Sequence, residues 1–388
     1  MTATVADLVA ALDAMYPPAW AEDWDAVGLV TGHPDAAVQR AIFAVDPTKA
    51  VVDEAVASGA QVLVTHHPLL LRGVTSVAET TAKGRVVSEL IRFGIALFVA
   101  HTNADSAPDG VSAALARALG VQRLEPLVPP PPEPAYKLVT FVPEESAALV
   151  IDALSGAGAG VIGDYTRCAW MVPGIGTYVP GAGSSPAVGE PGRVTRTPEL
   201  RIEMVLPQTA LRATVRALLA AHPYEEPAYD VLPTSLAHDR GLGRLGELVS
   251  PVRLGEFAAH VARSLPAAPA GVRVSGDLDR VVTRVAVCGG AGDSLIGAAA
   301  RAGADVYVTA DLRHHVAQDA GLAVVDAGHW ATEWPWLTVA AAGVRSALGD
   351  RGHNVDTVVS TLVTDPWAAT FTSIASPPPT DEESHDPL

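Results

Sequence analysis

The chain has 388 residues, which is long enough for two or three domains with apolar cores. It carries 26 basic and 43 acidic residues, and a net charge of −17 with a pI near 5.0 excludes the basic surface of a general nucleic-acid-binding protein. The sequence has no apolar run of about 18 residues and no basic, apolar leader, so we expect a cytoplasmic protein without a membrane span.

The first 128 residues alternate short apolar runs, rich in β-branched residues, with helical segments. The run Gln61–Val64 predicts a buried strand that leads into His66 and His67, and the next apolar run predicts a neighbouring strand that ends at His101. The proline-rich segment Leu124–Pro134 then predicts a stiff linker.

Between this linker and about Pro233 the expected order is strand, helix, two strands, helix and strand. The expected elements are Tyr136–Val142, Glu144–Leu154, Thr166–Val172, Glu199–Leu206, Thr209–Ala221 and a short last strand. This order predicts a ferredoxin-like α+β insert. Its segment Pro173–Arg193 carries six glycines without periodicity, so we expect a surface loop or an arm that contacts another subunit.

Two segments of the second flank repeat the pattern of the first. Gly59–His67 matches Gly303–Asp311, and Gly94–His101 matches Gly321–His329. Repeated βαβ units predict an α/β fold of two pseudo-duplicated halves, whose ligands bind beyond the carboxyl ends of the strands. The predicted domains are a discontinuous core of residues 1–128 and 236–375, an insert of residues 134–234, and a disordered acidic tail of residues 376–388.

The polar residues after these strands are of the types that bind metal ions. They comprise His66, His67, His101, Asp105, His329 and Glu333. His329 and Glu333 share a face if they lie in the first turn of a helix. The two cysteines are too few for a thiolate site. Five or six nitrogen and oxygen ligands suit a pair of Zn, Mn, Fe, Co or Ni ions about 3.5 to 4 Å apart, which favours hydrolytic chemistry.

Each cluster also has a structural interpretation. A histidine after a strand is usually a hydrogen-bonded polar residue, and a His–Glu pair at this spacing is common on solvated helices. Three clusters at corresponding strand ends favour the metal site, although the pattern leaves the role of His101 open. The segment Gly290–Leu295 lacks the last glycine of a dinucleotide fingerprint, so we interpret it as a tight turn that shapes the metal cleft.

Several short segments resemble the signature segments of the GTP cyclohydrolase 1 type 2 homolog family, also called the Nif-three-like family. They are Trp24–Leu29, Thr65–Leu69, His101–Asp105, Gly289–Asp293, Gly328–Glu333 and Thr364–Trp367. Three segments of the insert are similar to the PII-like or CutA-like middle domain of the longer members. They are Gly163–Tyr165, Gly174–Tyr178 and His222–Asp230.

The resemblance implies a dinuclear metal centre and a toroidal homohexamer. It assigns the metal ligands to His66, His67, Asp105, His329 and Glu333. His101 matches the motif as an outer group or proton shuttle, with a structural role as the alternative. Zinc is the expected metal, with iron, manganese, cobalt or nickel as alternatives.

The family name implies that metal-activated water opens the guanine ring of GTP. We therefore expect a dinuclear metal hydrolase of a nucleotide-like small molecule. Two alternatives stay open: a non-catalytic protein that binds or delivers metal, and an interaction scaffold whose insert senses a small ligand or partner. The segment His222–Asp230 is expected to form a structural corner or subunit contact, or else a gate over the cavity.

Overall fold

The computed structural model describes residues 2–131, 133–236 and 239–371 of a mixed α/β fold. The chain divides into two compact units, here called unit 1 (Met1–Pro130 with Asp239–Leu388) and unit 2 (Pro131–His238). The acidic tail predicted for residues 376–388 lies outside the described residues. Among the described residues, no helix combines the length and the apolar character needed to cross a bilayer.

Unit 1 contains twelve labelled helices and strands before the connection to unit 2. They are β1 (Ala3–Thr4), α1 (Val5–Met15), β2 (Gly28–Thr31), β3 (Ala37–Val38), β4 (Arg40–Ala44), α2 (Lys49–Ser58), β5 (Val62–Thr65), α3 (Ala82–Arg92), β6 (Ala96–Val99), α4 (Thr102–Ser106), α5 (Val111–Ala118) and β7 (Gln122–Val128). A short 3-10 helix covers Pro18–Trp20.

Unit 2 follows with four strands and two helices. They are β8 (Glu133–Val142), α6 (Glu144–Gly156), β9 (Trp170–Tyr178), β10 (Thr195–Pro207), α7 (Leu211–Ala221) and β11 (Tyr229–Leu236), with a 3-10 turn at Gln208–Ala210. The sheet has the order β11-β8-β10-β9, and all its pairs are antiparallel. The element order is the one that the sequence pattern predicted.

The chain then returns to unit 1. The remaining elements are β12 (Leu242–Arg253), α8 (Leu254–Ser264), β13 (Arg273–Ser275), β14 (Val281–Ala291), a 3-10 turn (Asp293–Leu295), α9 (Ile296–Arg301), β15 (Val306–Ala310), α10 (His314–Gln318), β16 (Ala323–Asp326), α11 (His329–Asp350) and β17 (Asp356–Val359).

Unit 1 is built on two sheets, each with a parallel centre. The five-stranded sheet has the order β17-β4-β5-β6-β2, with β17, β4, β5 and β6 parallel. The six-stranded sheet has the order β13-β16-β15-β14-β12-β7, with β14, β15 and β16 parallel. The central strands are buried apolar runs, as parallel strands covered on both faces require.

One apolar core joins the two large sheets of unit 1 and several of its helices. It contains Phe43 and Phe98 from the first sheet, Val287 and Val308 from the second, and Trp336 from α11, all with no exposed surface. Residues of α1, α5 and α8 pack into the same cluster. The core therefore fixes α11, which begins at His329, against both sheets.

Two local expectations are wrong. Residues 124–128 of the expected linker belong to β7, which pairs with β12, and Pro126 is accommodated because β7 is an edge strand of its sheet. In unit 2 the expected strand Thr166–Val172 instead runs over Trp170–Tyr178. It enters the glycine-rich segment because the long strand β10 pairs with it from Thr195 to Glu203.

Candidate metal centre

The three histidine segments lie at the ends of elements that unit 1 brings together. His66 and His67 follow β5, and His101 follows the adjacent parallel strand β6. His329 opens α11 directly after Gly328, whose φ of 81° favours glycine. Because parallel strands end at the same edge of a sheet, the first three imidazoles meet there.

The imidazole and carboxylate atoms form two overlapping groups. Ligand atoms of His66, His67 and His101 lie within 4.8 Å of one another, and so do those of His67, His329 and Glu333. His67 belongs to both groups, and its Nε2 atom is 3.3 Å from His329 Nε2. The structure therefore places His101 among the other imidazoles and not behind them.

Glu333 lies between three of the imidazoles. Its Oε1 atom is 3.0 Å from His329 Nε2 and 3.5 Å from His66 Nε2, and its Oε2 atom is 3.2 Å from His67 Nε2. His329 and Glu333 share the first turns of α11, as their spacing predicted. Asp105, in α4, has its Oδ1 atom 3.7 Å from His66 Nε2.

Each imidazole is held through its Nδ1 atom, so that Nε2 faces the centre. The partners of Nδ1 are the Ala100 carbonyl for His66 (2.9 Å), Asp46 for His67 (2.7 Å), Asp25 for His101 (2.9 Å) and Asp311 for His329 (2.7 Å). A carboxylate or carbonyl behind an imidazole fixes its tautomer and orientation in metal sites.

Sequence reasoning assigned no role to Asp25, Asp46 or Asp311. Asp46 and Asp311 come just after strands β4 and β15, so the same strand-end pattern that indicated the histidines could have found them. Asp311 has a left-handed backbone with φ of 59°, which Asp tolerates better than most residues. Asp25 follows no strand and gave no such signal.

Gly290 forms the floor beneath Glu333. A Cβ atom there would lie 2.3 Å from Glu333 Oε1 and 3.0 Å from His329 Nε2, and the φ of Gly290 is 65°. Its N–H donates to the Thr332 hydroxyl, and its carbonyl accepts a hydrogen bond from the Thr309 hydroxyl. The turn predicted from Gly290 onward begins later, at Asp293–Leu295, and Gly290 itself lies near the end of β14, where its missing side chain leaves room for the carboxylate.

The charges of the site are strongly coupled. Burial lowers the pKa of His67 and His329, but Glu333 together with Asp46 behind His67 and Asp311 behind His329 outweighs it, so the pKa of His67 is raised to about 11 and that of His329 to about 9. Burial would raise the pKa of Glu333, yet the three imidazoles hold it well below its usual range. Burial raises the pKa of Asp105.

Within the described residues, two buried atoms at the centre, His66 Nε2 and Glu333 Oε2, have no hydrogen-bond partner, although Glu333 Oε2 lies at ion-pair distance from His67. Burying a polar atom without a hydrogen-bond partner costs free energy. Both atoms lie close to other imidazole nitrogens and carboxylate oxygens, which are the types of atom that bind divalent cations. The residues therefore fit a metal site, and these buried His and Glu groups could hold a metal ion.

The chain is similar over nearly its whole length to known proteins. The family model described as Duf34/NIF3 (NGG1p interacting factor 3) matches residues 3–366. A Mycobacterium leprae relative named GTP cyclohydrolase 1 type 2 homolog is 48% identical over 375 residues, which cover 95% of this chain and 96% of the relative. A Bacillus subtilis relative of the same name is 38% identical over 359 residues, which cover 90% and 94%.

A solved structure shows the same fold. The crystal structure of the Bacillus cereus protein related to NIF3 has a TM-score of 0.75 and 39% sequence identity to this chain, and the match covers 95% of this chain and 100% of that one. The family model, the relatives and this structure each extend over nearly the whole length. The chain therefore belongs to the Duf34/NIF3 family.

Proposed function

We propose that this chain holds two divalent metal ions and is a metal-dependent hydrolase of a nucleotide-like small molecule. The observation that carries the proposal is the pair of buried, unpartnered atoms, His66 Nε2 and Glu333 Oε2, among further imidazole nitrogens. Imidazole nitrogen suits zinc, which we propose as the metal, with iron, manganese, cobalt and nickel as alternatives.

The ligands in this proposal are His66, His67, Asp105, His329 and Glu333. Two ions are supported by Glu333 and His67, because the two Glu333 oxygens lie close to different imidazoles and His67 belongs to both groups of ligand atoms. A divalent pair supplies Lewis acidity that activates water and stabilises negative charge.

The protein groups would set the geometry and move protons. His101 carries the proton in this proposal, because the buried Asp25 carboxylate holds its Nδ1 atom and leaves Nε2 facing the site. Hydrogen bonds from His101 and Thr102 outweigh the effect of burial and hold the pKa of Asp25 well below its usual range, so Asp25 stays ionised. An ionised Asp25 stabilises the imidazolium that forms when His101 accepts a proton.

GTP is the first substrate to test, because the relatives carry the name GTP cyclohydrolase 1 type 2 homolog. The purified full chain is loaded with zinc, iron, manganese, cobalt or nickel in turn, and metal per chain is measured by elemental analysis. Turnover of GTP, other nucleotides and phosphodiesters is then compared with that of Glu333→Gln and of Glu256→Gln. Glu256 is an exposed carboxylate in the first turn of α8 and serves as the matched control.

We expect metal-dependent turnover by the wild-type chain and the control, and loss of both metal and turnover in Glu333→Gln. Two exchangeable metal ions with no turnover of any substrate would instead favour the metal-delivery alternative. A wild-type chain that retains no divalent metal under any loading condition would remove the basis of the proposal.

The architecture around the centre is also a proposal. We propose that the two sheets of unit 1 are pseudo-duplicated halves, a view supported by the parallel centre that each contains. We propose that residues 134–234 form a PII-like insert in a cytoplasmic homohexamer, supported by the resemblance of the motifs. Sedimentation of the full chain tests the hexamer.

A further inference from the structure

Unit 2 contains a cavity that the proposed chemistry does not use. Its volume is about 960 Å³, within the range typical of sites for small ligands. It is lined by β9, by the segment that follows β9, and by the turn before β11. Two motifs that the sequence analysis singled out, Gly174–Tyr178 and His222–Asp230, thus meet at one cavity.

A buried carboxylate faces this cavity. Glu199, in β10, is only 9% exposed, and its Oε1 atom accepts a hydrogen bond of 2.7 Å from the Tyr224 hydroxyl. Within the described residues, no donor bonds to its Oε2 atom and no cationic side chain forms an ion pair with it. Arg201 also lines the cavity, but it is paired with Glu203 at 2.8 Å and lies over the Phe141 ring. Glu199 therefore presents a carboxylate oxygen to the cavity, and the arginine beside it is paired elsewhere.

The surroundings of Glu199 hold it in place. At Gly176 a Cβ atom would lie 2.2 Å from Glu199 Oε2, so only glycine leaves room for the carboxylate. The His222 ring donates from Nε2 to the Phe141 carbonyl (3.0 Å) and accepts at Nδ1 from the Tyr224 N–H (3.1 Å), which fixes the turn that carries Tyr224. Burial and the Glu199 carboxylate raise the pKa of the Tyr224 phenol, so it remains a donor.

The charge and shape of the lining select the ligand. Glu225 and Glu226 add two further carboxylates to the lining, and Glu225 is held by the Ser185 N–H at 3.0 Å. The Tyr178 and Tyr224 rings lie 6.3 Å apart and offer faces to a cation. In the part of the chain that the structure describes, the groups able to hold a metal ion lie in unit 1 and include none of these residues. An acidic, partly aromatic cavity of this size fits an organic cation.

We propose that this cavity binds a small organic cation, with the amine or amidinium N–H groups on the Glu199 carboxylate and the apolar body against the tyrosine rings. The ligand would supply a positive charge to the Glu199 carboxylate through charge-assisted hydrogen bonds. The site would select ligands by their charge and by the arrangement of their N–H groups, because Tyr224 and the backbone of Gly176 hold Glu199 in one position.

The test uses benzamidine as the probe and benzamide as its neutral analogue of nearly the same shape. Binding to the full chain is measured by titration calorimetry and by ligand-observed NMR, with EDTA present so that metal does not contribute. We expect benzamidine to bind at least tenfold more tightly than benzamide, as the loss of one charge-assisted bond implies. Equal binding of the two compounds, or binding of neither, would overturn the proposal.

Variants locate the site. Glu199→Gln keeps the shape but removes the charge, so we expect benzamidine affinity to fall at least tenfold. Tyr224→Phe keeps the ring and the carboxylate charge but removes the hydrogen bond that positions Glu199, so we expect a smaller loss of benzamidine affinity with the preference over benzamide retained. Glu145→Gln, in the first turn of α6, is the matched control for charge within unit 2 and should retain binding. Thermal melts show whether each variant is folded. Folded Glu199→Gln that binds benzamidine as the wild type does would contradict the assignment.

Discussion

Gly290→Ala is the sharpest test of the metal centre, because one methyl group acts on the site without removing any proposed ligand. The new Cβ atom would lie 2.3 Å from Glu333 Oε1, whereas non-bonded atoms settle at about 3.5 Å, so the carboxylate or the end of β14 must move by about 1 Å. Metal sites tolerate displacements of only about 0.2 Å. We therefore expect metal affinity to fall by roughly 100-fold, at least as much as the loss of an outer partner costs.

The change also affects stability, and a second variant separates the two effects. An alanine at the φ of Gly290, 65°, costs about 1 to 2 kcal/mol, and overpacking adds about 1 to 3 kcal/mol. Gly59 ends α2 with nearly the same φ, 66°, but a Cβ atom there meets nothing within 4 Å. Gly59→Ala should therefore lower the free energy of unfolding by about 1 to 2 kcal/mol and leave the metal affinity unchanged.

The assay combines chelator competition for metal affinity with urea unfolding for stability. The comparison of the two alanine variants assigns the loss of metal to the contact with Glu333 and not to backbone strain. If Gly290→Ala bound metal with wild-type affinity, Glu333 would not be a ligand in the observed position. Equal loss of metal in both variants would show that the site responds to stability alone.

Three further predictions concern the same unit. Asp46→Asn weakens the hydrogen bond that orients the His67 ring, so metal affinity should fall about tenfold to 100-fold in chelator competition. An unchanged affinity would show that Asp46 does not position His67 for metal binding. In the metal-free protein, burial lowers the pKa of His67 and His329, but Glu333, Asp46 and Asp311 together raise the two values to about 11 and 9. This stabilisation is complete below about pH 6.5 and is lost as pH rises through 9 to 11, so urea midpoints should fall over that range. Thr4→Ala removes the capping box of α1 and should cost about 1 kcal/mol in urea unfolding without changing metal content.

The sequence predicted the convergence of the site because the relevant signals are local. A strand that stops at His66, and a histidine four residues before Glu333, indicate strand ends and a helix face from short windows. The supporting carboxylates were harder to assign. Asp25 reaches His101 from 76 positions away, a pairing that depends on the tertiary fold and leaves no periodic pattern.

Two features of unit 2 escaped prediction for a related reason. Strand β9 is rich in glycine and largely exposed, so its side chains show no alternation, and its pairing with β10 comes from backbone hydrogen bonds. The role of Gly176 depends on Glu199, which pairs with Gly174 on the neighbouring strand and whose side chain reaches Gly176. In both cases the information lies in the partner strand, so a window of sequence around β9 could not reveal it.

The candidate ligands fall on both sides of unit 2 in the chain. His66, His67 and Asp105 are synthesised before the 108 residues of Pro131–His238, and His329 and Glu333 come after them. A growing polypeptide on the ribosome would therefore display only the earlier imidazoles and would expose them until α11 emerges. The full set of candidate metal ligands therefore exists only after α11 has been synthesised.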